Sequence, residues 1–330
     1  ARDAEMMELS TVPAGVAAQA HAYLAQGGTD NLAQLAAFLS DTVLLTGEGF
    51  APPAELPAWG VLDRDAGESD GPTVAVLYYR AQQLAGNTGY VEALCTAIEQ
   101  AGGRPLPVYC ASLRQAPAEL LSTLRAADAM VVTVLAAGGT KPASAQAGGD
   151  DEAWDVAELA ALDVPILQGL CLTSSRTSWA ESDDGMTPLD VATQVAVPEF
   201  DGRLITVPFS FKEFDENGLP TYRPDPERCA RVAGIAAAHA RLRHPPAARR
   251  RIALMLSAYP TKHARIGNAV GLDTPRSLVS LLRAMRDAGY DIGPESGPDA
   301  IPGLAEDDSD ALIHAIIAAG GQDADWLTEE

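Results

Sequence analysis

The chain has 330 residues, 47% of them hydrophobic, and a formal net charge of −22. That length can bury a large core in two or three domains, and the acidic balance excludes general nucleic-acid binding, which needs a basic surface to neutralise phosphates. No run of about 18 apolar residues reaches membrane-spanning length, and the opening ARDAEMMELS has neither the basic nor the apolar region of a secretory leader, so the expected address is the cytoplasm, without a membrane partner.

The chain starts without Met and ends on IIAAGGQDADWLTEE, just past a helix and its Gly-Gly stop, so a piece of a longer polypeptide is expected. Residues 1–40 read as helical, because LAQLAAFL sets Leu32, Leu35, Phe38 and Leu39 on one stripe. APPAELPAWGVLDRDAGESDGP, from Ala51 to Pro72, then reads as a linker or an extended covering strand. A boundary near residue 70 gives a first segment of helix and Pro-rich linker over 1–70.

From Thr73 the pattern alternates. TVAVLYY is a strand, GNTGYVEALCTAIEQAGG a helix with Val91, Leu94, Cys95 and Ile98 at helical spacing, and PLPVYC a second strand. PAELLSTLRAAD, AMVVTVL, DEAWDVAELAAL and VPILQG continue the alternation, which is solved most economically by a parallel sheet covered with helices. The expected fold is therefore α/β, with Rossmann-like parallel units, a helical N-terminal segment and a further βα unit at the C-terminus. GNTG does not match G-x-G-x-x-G and lies several residues past its strand, so it is a poor dinucleotide signal.

VAVPEFDGRLITVPFSF contains Asp201-Gly202 between apolar runs, a hairpin signal flanked by Glu199. KEFDENGLPTY reads as a second hairpin, followed by a helix from about Pro226 to Arg243 that Pro245-Pro246 stops. This closes an α/β domain over 71–246 with a hairpin insertion. RRRIALMLS reads as the strand that starts a second α/β domain over 247–330, Thr274 to Ala288 as a helix capped by Thr274, and DALIHAIIAAGG as the last helix.

Cys95, Cys110, Cys171 and Cys229 are far apart, with no C-x-x-C, and read as small core hydrophobes. Five scattered histidines give no local metal motif, and the metal ligands stay unknown. Charge is distributed unevenly. Between Arg203 and Arg286 there are 15 lysines and arginines against six acids, a basic stretch inside an acidic chain. The connection SAYPTKHARIGNAVGLDTPRS, Ser257 to Ser277, is far longer than the roughly 2–6 residues usual for a strand-to-helix loop. Lys262, His263 and Arg265 before a helix N-terminus, with glycines at 267 and 271, suit a carboxylate or phosphate cradle. A plain solvated loop accounts for the same residues.

The motifs P-E-x-D-G (Pro198 to Gly202), Y-P (Tyr259-Pro260), G-x-A-x-G-L-D-x-P-x-S (Gly267 to Ser277) and G-Y (Gly289-Tyr290), in this order, resemble the family of the aerobic cobaltochelatase large subunit CobN and the magnesium chelatase H subunit. The resemblance implies ATP-dependent insertion of a divalent metal into a tetrapyrrole: for the CobN branch, Co2+ into hydrogenobyrinic acid a,c-diamide in cobalamin biosynthesis. It also implies AAA+ partner subunits, CobS and CobT, that use ATP and Mg2+, consistent with the lack of a Walker A sequence here. On this reading the chain is a fragment, inactive alone. Glu199 and Asp201 are candidates for metal delivery or proton uptake. Lys212, Tyr259, Lys262, His263, Arg265, Gly271, Asp273 and Ser277 are candidates for substrate binding. A magnesium chelatase H-type subunit and a noncatalytic Rossmann-like docking module are the alternatives.

Overall fold

A computed structural model describes residues 9–64, 70–113, 116–134, 157–256, 267 and 271–319. The chain divides into two compact units, Ala1–Arg243 and His244–Glu330.

The first unit is built on a seven-stranded sheet. Its strands are β1 (Trp59–Val61), β2 (Thr73–Tyr79), β3 (Arg104–Cys110), β4 (Ala129–Val132), β5 (Ile166–Leu172), β6 (Leu204–Phe214) and β7 (Pro220–Pro224). They lie in the order β1-β3-β2-β4-β5-β6-β7. Strands β3, β2, β4, β5 and β6 pair in parallel, while β1 and β7 run antiparallel at the two edges. The five parallel strands, taken in chain order, follow the 2-1-3-4-5 arrangement of flavodoxin-like sheets, whose direction of winding switches between β2 and β4.

β2 shows why this segment forms a central strand. Val74, Ala75, Val76, Leu77 and Tyr78 are all buried, the uninterrupted apolar run expected where helices cover both faces. Alternate residues feed opposite cores, since side chains along a strand point to alternate faces. Val74, Val76 and Tyr78 pack with Val91, Leu94 and Ile98 of α4 (Gly89–Gln100) and with Val232 and Ala236 of α10 (Pro226–Arg241). Ala75 and Leu77 pack with Leu120 and Leu124 of α5 (Ala118–Arg125). Truncating a fully buried leucine such as Leu77 to Ala costs about 2–5 kcal/mol.

One position fixes the local geometry of β5. A Cβ on Gly169 would sit 2.9 Å from Val131 Cγ1 and 3.0 Å from Phe209 Cε1. The register with β6 shifts between Gln168 and Leu170, the step that contains this residue, and again between Leu170 and Cys171, and neighbouring side chains occupy the space that a methyl group would take.

The N-terminal segment forms α1 (Ala14–Gln26) and α2 (Thr29–Val43). Only part of the expected stripe faces inward. Phe38 is buried, whereas Leu32 and Leu39 are 47% and 39% exposed. The inward row runs through Asn31 and Phe38 because α2 packs on the Pro-rich segment that follows it. Asn31 Nδ2 donates to Ala54 O and its Oδ1 accepts from Ala54 N, both at 2.9 Å. Tyr23 donates its hydroxyl proton to Ala51 O, and Leu56 N donates to Gln26 Oε1. The connector is therefore a fastened strap, and its end forms β1 against β3. Of the two sequence readings, the covering strand describes it.

One reading in the sheet's unit is corrected. Asp201-Gly202 does not turn a hairpin. Val197–Phe200 is a helical turn, and Gly202, at φ +72°, stops it while Gly202 N donates to Glu199 O at 2.9 Å. Hairpin turns and helix stops both call for a residue that tolerates positive φ, so the dipeptide alone does not separate them. The second expected hairpin, in KEFDENGLPTY, is present: it turns at Asp215–Gly218 and joins β6 to β7, with Asp215 Oδ1 accepting from Asn217 N and Leu219 N.

In the second unit residues 251–256 carry no strand. Ile252, Leu254 and Met255 are exposed, because a strand needs a hydrogen-bonding neighbour and no strand lies in this unit among the described residues. Helices α11 (Thr274–Asp287) and α12 (Ser309–Ala318) pack through Leu278, Val279, Leu282 and Leu312. The cap of α11 is Asp273, not Thr274: Asp273 Oδ1 accepts from Arg276 N at 3.0 Å.

Candidate functional site

Of the two acids expected to do chemistry, one lies at the surface and one inside. Glu199 is exposed at the end of its helical turn. Asp201 lies in the interior, where its Oδ2 accepts from Arg203 Nη2 at 2.7 Å, with both side chains 0% exposed. Arg203 Nη1 donates to Val134 O at 2.7 Å and to Gln168 Oε1 at 2.8 Å, so the pair ties the ends of β4, β5 and β6 together. Burial pulls the Arg203 pKa down, and the Asp201 carboxylate opposes it.

Lys212 stands near the far end of β6, eight residues beyond Leu204, or roughly 26 Å along the strand. The fold therefore separates it from Asp201. Its strand partner is Tyr222.

Gly271, Asp273 and Ser277 belong to the second unit, and Tyr259, Lys262, His263 and Arg265 lie outside the described residues. Gly271 has φ +76° with open space where a Cβ would be. Ser277 Oγ donates to Asp273 O at 2.7 Å, which engages its hydroxyl in the first turn of α11.

The cysteines sit in the core as expected. Burial pushes Cys95 and Cys229 up to about 12 and Cys110 up to about 11, so each stays a protonated thiol near neutrality. Among the described residues no three His, Cys, Asp or Glu side chains gather as a metal site. No described helix is long and apolar enough to cross a membrane. In GNTG, Asn87 Oδ1 accepts from Tyr222 N at 3.1 Å, so this side chain anchors β7 to the loop.

A cleft that the sequence reading missed opens at the carboxyl ends of β5 and β6. It has a volume of about 480 Å³ and is lined by Arg176, Phe211, Glu213, Arg223 and Asp225, among others. Arg176 leads the short helix α7 (Arg176–Glu181), whose cap, Ser175, accepts from Ser178 N. Arg176 Nε donates to Asp225 Oδ2 at 2.7 Å, and its guanidinium lies 5.0 Å from the Trp179 ring centroid and 5.6 Å from that of Phe211. Glu213 Oε1 accepts from Arg176 N at 2.8 Å. Asp225 Oδ1 accepts from Arg228 N, which caps α10, while the Arg228 guanidinium lies 4.6 Å from the Trp179 ring centroid.

The loop carrying Arg176 is held from below. The buried Asp190 accepts from Thr173 N, Thr173 Oγ1 and Thr187 Oγ1. Asp225 and Arg176 lie 49 residues apart, so no local spacing betrays the pair. The available signal was positional: loops at the carboxyl ends of parallel strands are where α/β sheets bind ligands.

Comparison with known proteins places this geometry in a family. A family model described as CobN/Magnesium Chelatase matches residues 21–330. The aerobic cobaltochelatase subunit CobN of Pseudomonas aeruginosa is 34% identical over 94% of this chain and 26% of its own length. The subunit of the same name from a Sinorhizobium species is 32% identical over 96% of this chain and 26% of its own. Among solved structures, the catalytic subunit of cobaltochelatase from Mycobacterium tuberculosis superposes with a TM-score of 0.83 at 66% identity, covering 97% of this chain and 26% of that one. The chain thus spans about a quarter of the length of these relatives. On a match that runs through both units, it belongs to the CobN/magnesium chelatase family.

Proposed function

We propose that this chain is part of the large, tetrapyrrole-binding subunit of an ATP-dependent cobaltochelatase, which inserts Co2+ into hydrogenobyrinic acid a,c-diamide during cobalamin biosynthesis in the cytoplasm. The observation that carries the reading is the 66% identity, over nearly the whole chain, to a solved cobaltochelatase catalytic subunit. Cobalt enters as a substrate, and AAA+ partners of the CobS and CobT type supply the work of ATP hydrolysis with Mg2+.

Metal insertion requires stripping water from the ion and removing two pyrrole protons, so it needs oxygen or imidazole ligands and a base beside the ring. Glu199, exposed and uncapped by any described cation, is the better placed of the two acids for that work. Asp201 acts instead by holding Arg203 and the strand ends. Lys262, His263 and Arg265, with Tyr259, remain the proposed cradle for peripheral carboxylates, in the stretch of chain that leads to α11 and its cap, Asp273.

The test uses the complete subunit with its partner subunits. Cobalt insertion into the corrinoid, without magnesium insertion into protoporphyrin, is expected, and the reverse outcome reassigns the chain to the magnesium branch. Lys262→Ala and Arg265→Ala in that subunit are expected to weaken corrinoid binding about tenfold each, as lost charge-assisted hydrogen bonds would. Unchanged corrinoid affinity in both variants removes the cradle.

A further inference from the structure

We propose that the cleft between the β5–α7 loop and the β6–β7 hairpin, lined by residues of the first unit, is a binding site for a carboxylate-bearing ligand with an apolar body. The shape suits a small molecule: about 480 Å³ falls within the roughly 300–1,000 Å³ of typical ligand pockets. The position suits one too, since the cleft opens at the carboxyl ends of parallel strands.

The charges select the ligand. Arg176 is held in place by its Nε–H on Asp225 and by the rings of Trp179 and Phe211, yet its side chain remains 45% exposed. Its two terminal nitrogens have no partner among the described residues, which leaves an oriented fork facing outward. Arg223 is exposed on β7 and lines the same cleft, and its guanidinium has no hydrogen-bond or ion-pair partner among the described residues. Both acids of the cleft are already engaged, Glu213 by Arg176 N and Asp225 by Arg176 Nε and Arg228 N. Both acids are thus bound into the frame of the cleft, and the terminal N–H groups of Arg176 and Arg223 are the donors it offers to a ligand.

Two arginines against two carboxylates leave the cleft without net charge, so it offers a dianionic phosphate no net attraction to offset the cost of dehydrating two charges, a cost that a single carboxylate carries in smaller measure. Phe211, Phe214 and Pro224 supply an apolar wall beside the two arginines. The carboxylate could be the side arm of a tetrapyrrole, a source that rests on the chelatase reading, or belong to a free arylalkanoic acid, a source that does not.

Calorimetric titration of the purified chain with phenylacetate, with uroporphyrin as a carboxylate-decorated tetrapyrrole, and with inorganic phosphate tests the proposal. At least one carboxylate probe is expected to bind more tightly than phosphate, and Arg223→Gln and Arg176→Gln are each expected to weaken it about tenfold or more. Arg223→Lys is expected to recover part of the loss. The Arg223 side chain has no partner among the described residues, so Arg223→Gln should melt like the parent chain, which separates lost binding from lost folding. Loss confined to phenylacetate assigns the free acid, and loss that includes uroporphyrin assigns the macrocycle arm. The proposal is overturned by failure of both carboxylate probes to bind, by phosphate binding more tightly than either, or by carboxylate binding that neither substitution changes. The metal-insertion assay is independent of the phenylacetate arm, so failure of the chelatase reading and failure of the cleft give different results.

Discussion

The carboxyl edge of the parallel sheet has two halves that the same topology would allow to do the same job. At β2 and β3, beside the point where the winding direction switches, the residue following β2 is Arg80. Its Nε donates to Pro57 O at 2.7 Å and its Nη2 to Leu56 O at 3.1 Å. The strap between α2 and β1 is thereby fastened to the half of the sheet where flavodoxin-like folds usually take their ligand. At β5 and β6 no such segment intervenes among the described residues, and a cleft with oriented arginines remains. The contrast teaches that strand order nominates an edge, whereas the covering segments decide which part of it stays open.

The seam between the halves is the place to break this comparison with the largest effect. Asp201→Ala leaves Arg203 buried beside Val134 and Gln168 without its carboxylate, and is expected to cost about 3–5 kcal/mol in urea unfolding. Unchanged stability combined with lost metal insertion in the complete subunit would return Asp201 to the role of a proton acceptor.

A smaller effect is expected from Arg80→Ala, which removes two charge-assisted hydrogen bonds at about 1.5–3 kcal/mol each before relaxation. The strap amides, among them those of Ala54 and Leu56, should exchange hydrogen faster, while the slowest-exchanging amides of β2 change little. Equal acceleration in both would mean that the strap and the sheet open as one body.

The smallest effect sharpens the open half. Burial acts to raise the pKa of Asp225, but the hydrogen bond from Arg176, the Arg228 amide and the two nearby positive charges outweigh it and hold the carboxyl below its ordinary value. A depressed carboxylate contributes stability above its unfolded value of about 3.9, and that contribution is lost as pH falls through the folded value. Arg176→Gln is therefore expected to move the Asp225 midpoint upward in a carboxyl-detected NMR titration, by a modest amount because the site is open to solvent. A midpoint that stays put would mean that Arg176 is not held by Asp225 in solution.

Much of the scaffold was legible before any coordinates. Thr73–Tyr79 was read as a strand with its observed limits, and Val91, Leu94 and Ile98 are buried on the face that their spacing required. These assignments depend on periodicity, a local property that burial on a flat sheet enforces residue by residue. Asp201-Gly202 was misread because a helix stop and a hairpin use the same backbone conformation, and RRRIALMLS because an apolar run does not reveal whether a neighbouring strand exists. The shared motifs around Pro198 and Gly267 pointed to the family, yet they did not distinguish a residue that meets ligand from one that holds the fold.

The sequence by itself determined the alternation of strands and helices, the burial of the cysteines and the resemblance to metal chelatases, since each is written in neighbouring residues. Tertiary structure alone decided that Asp201 faces Arg203 in the interior, that Lys212 lies at the other end of β6, and that Arg176 meets Asp225 across 49 residues. Desolvation and ion pairing depend on what the whole chain brings within a few ångströms, and spacing along the chain carries no record of it.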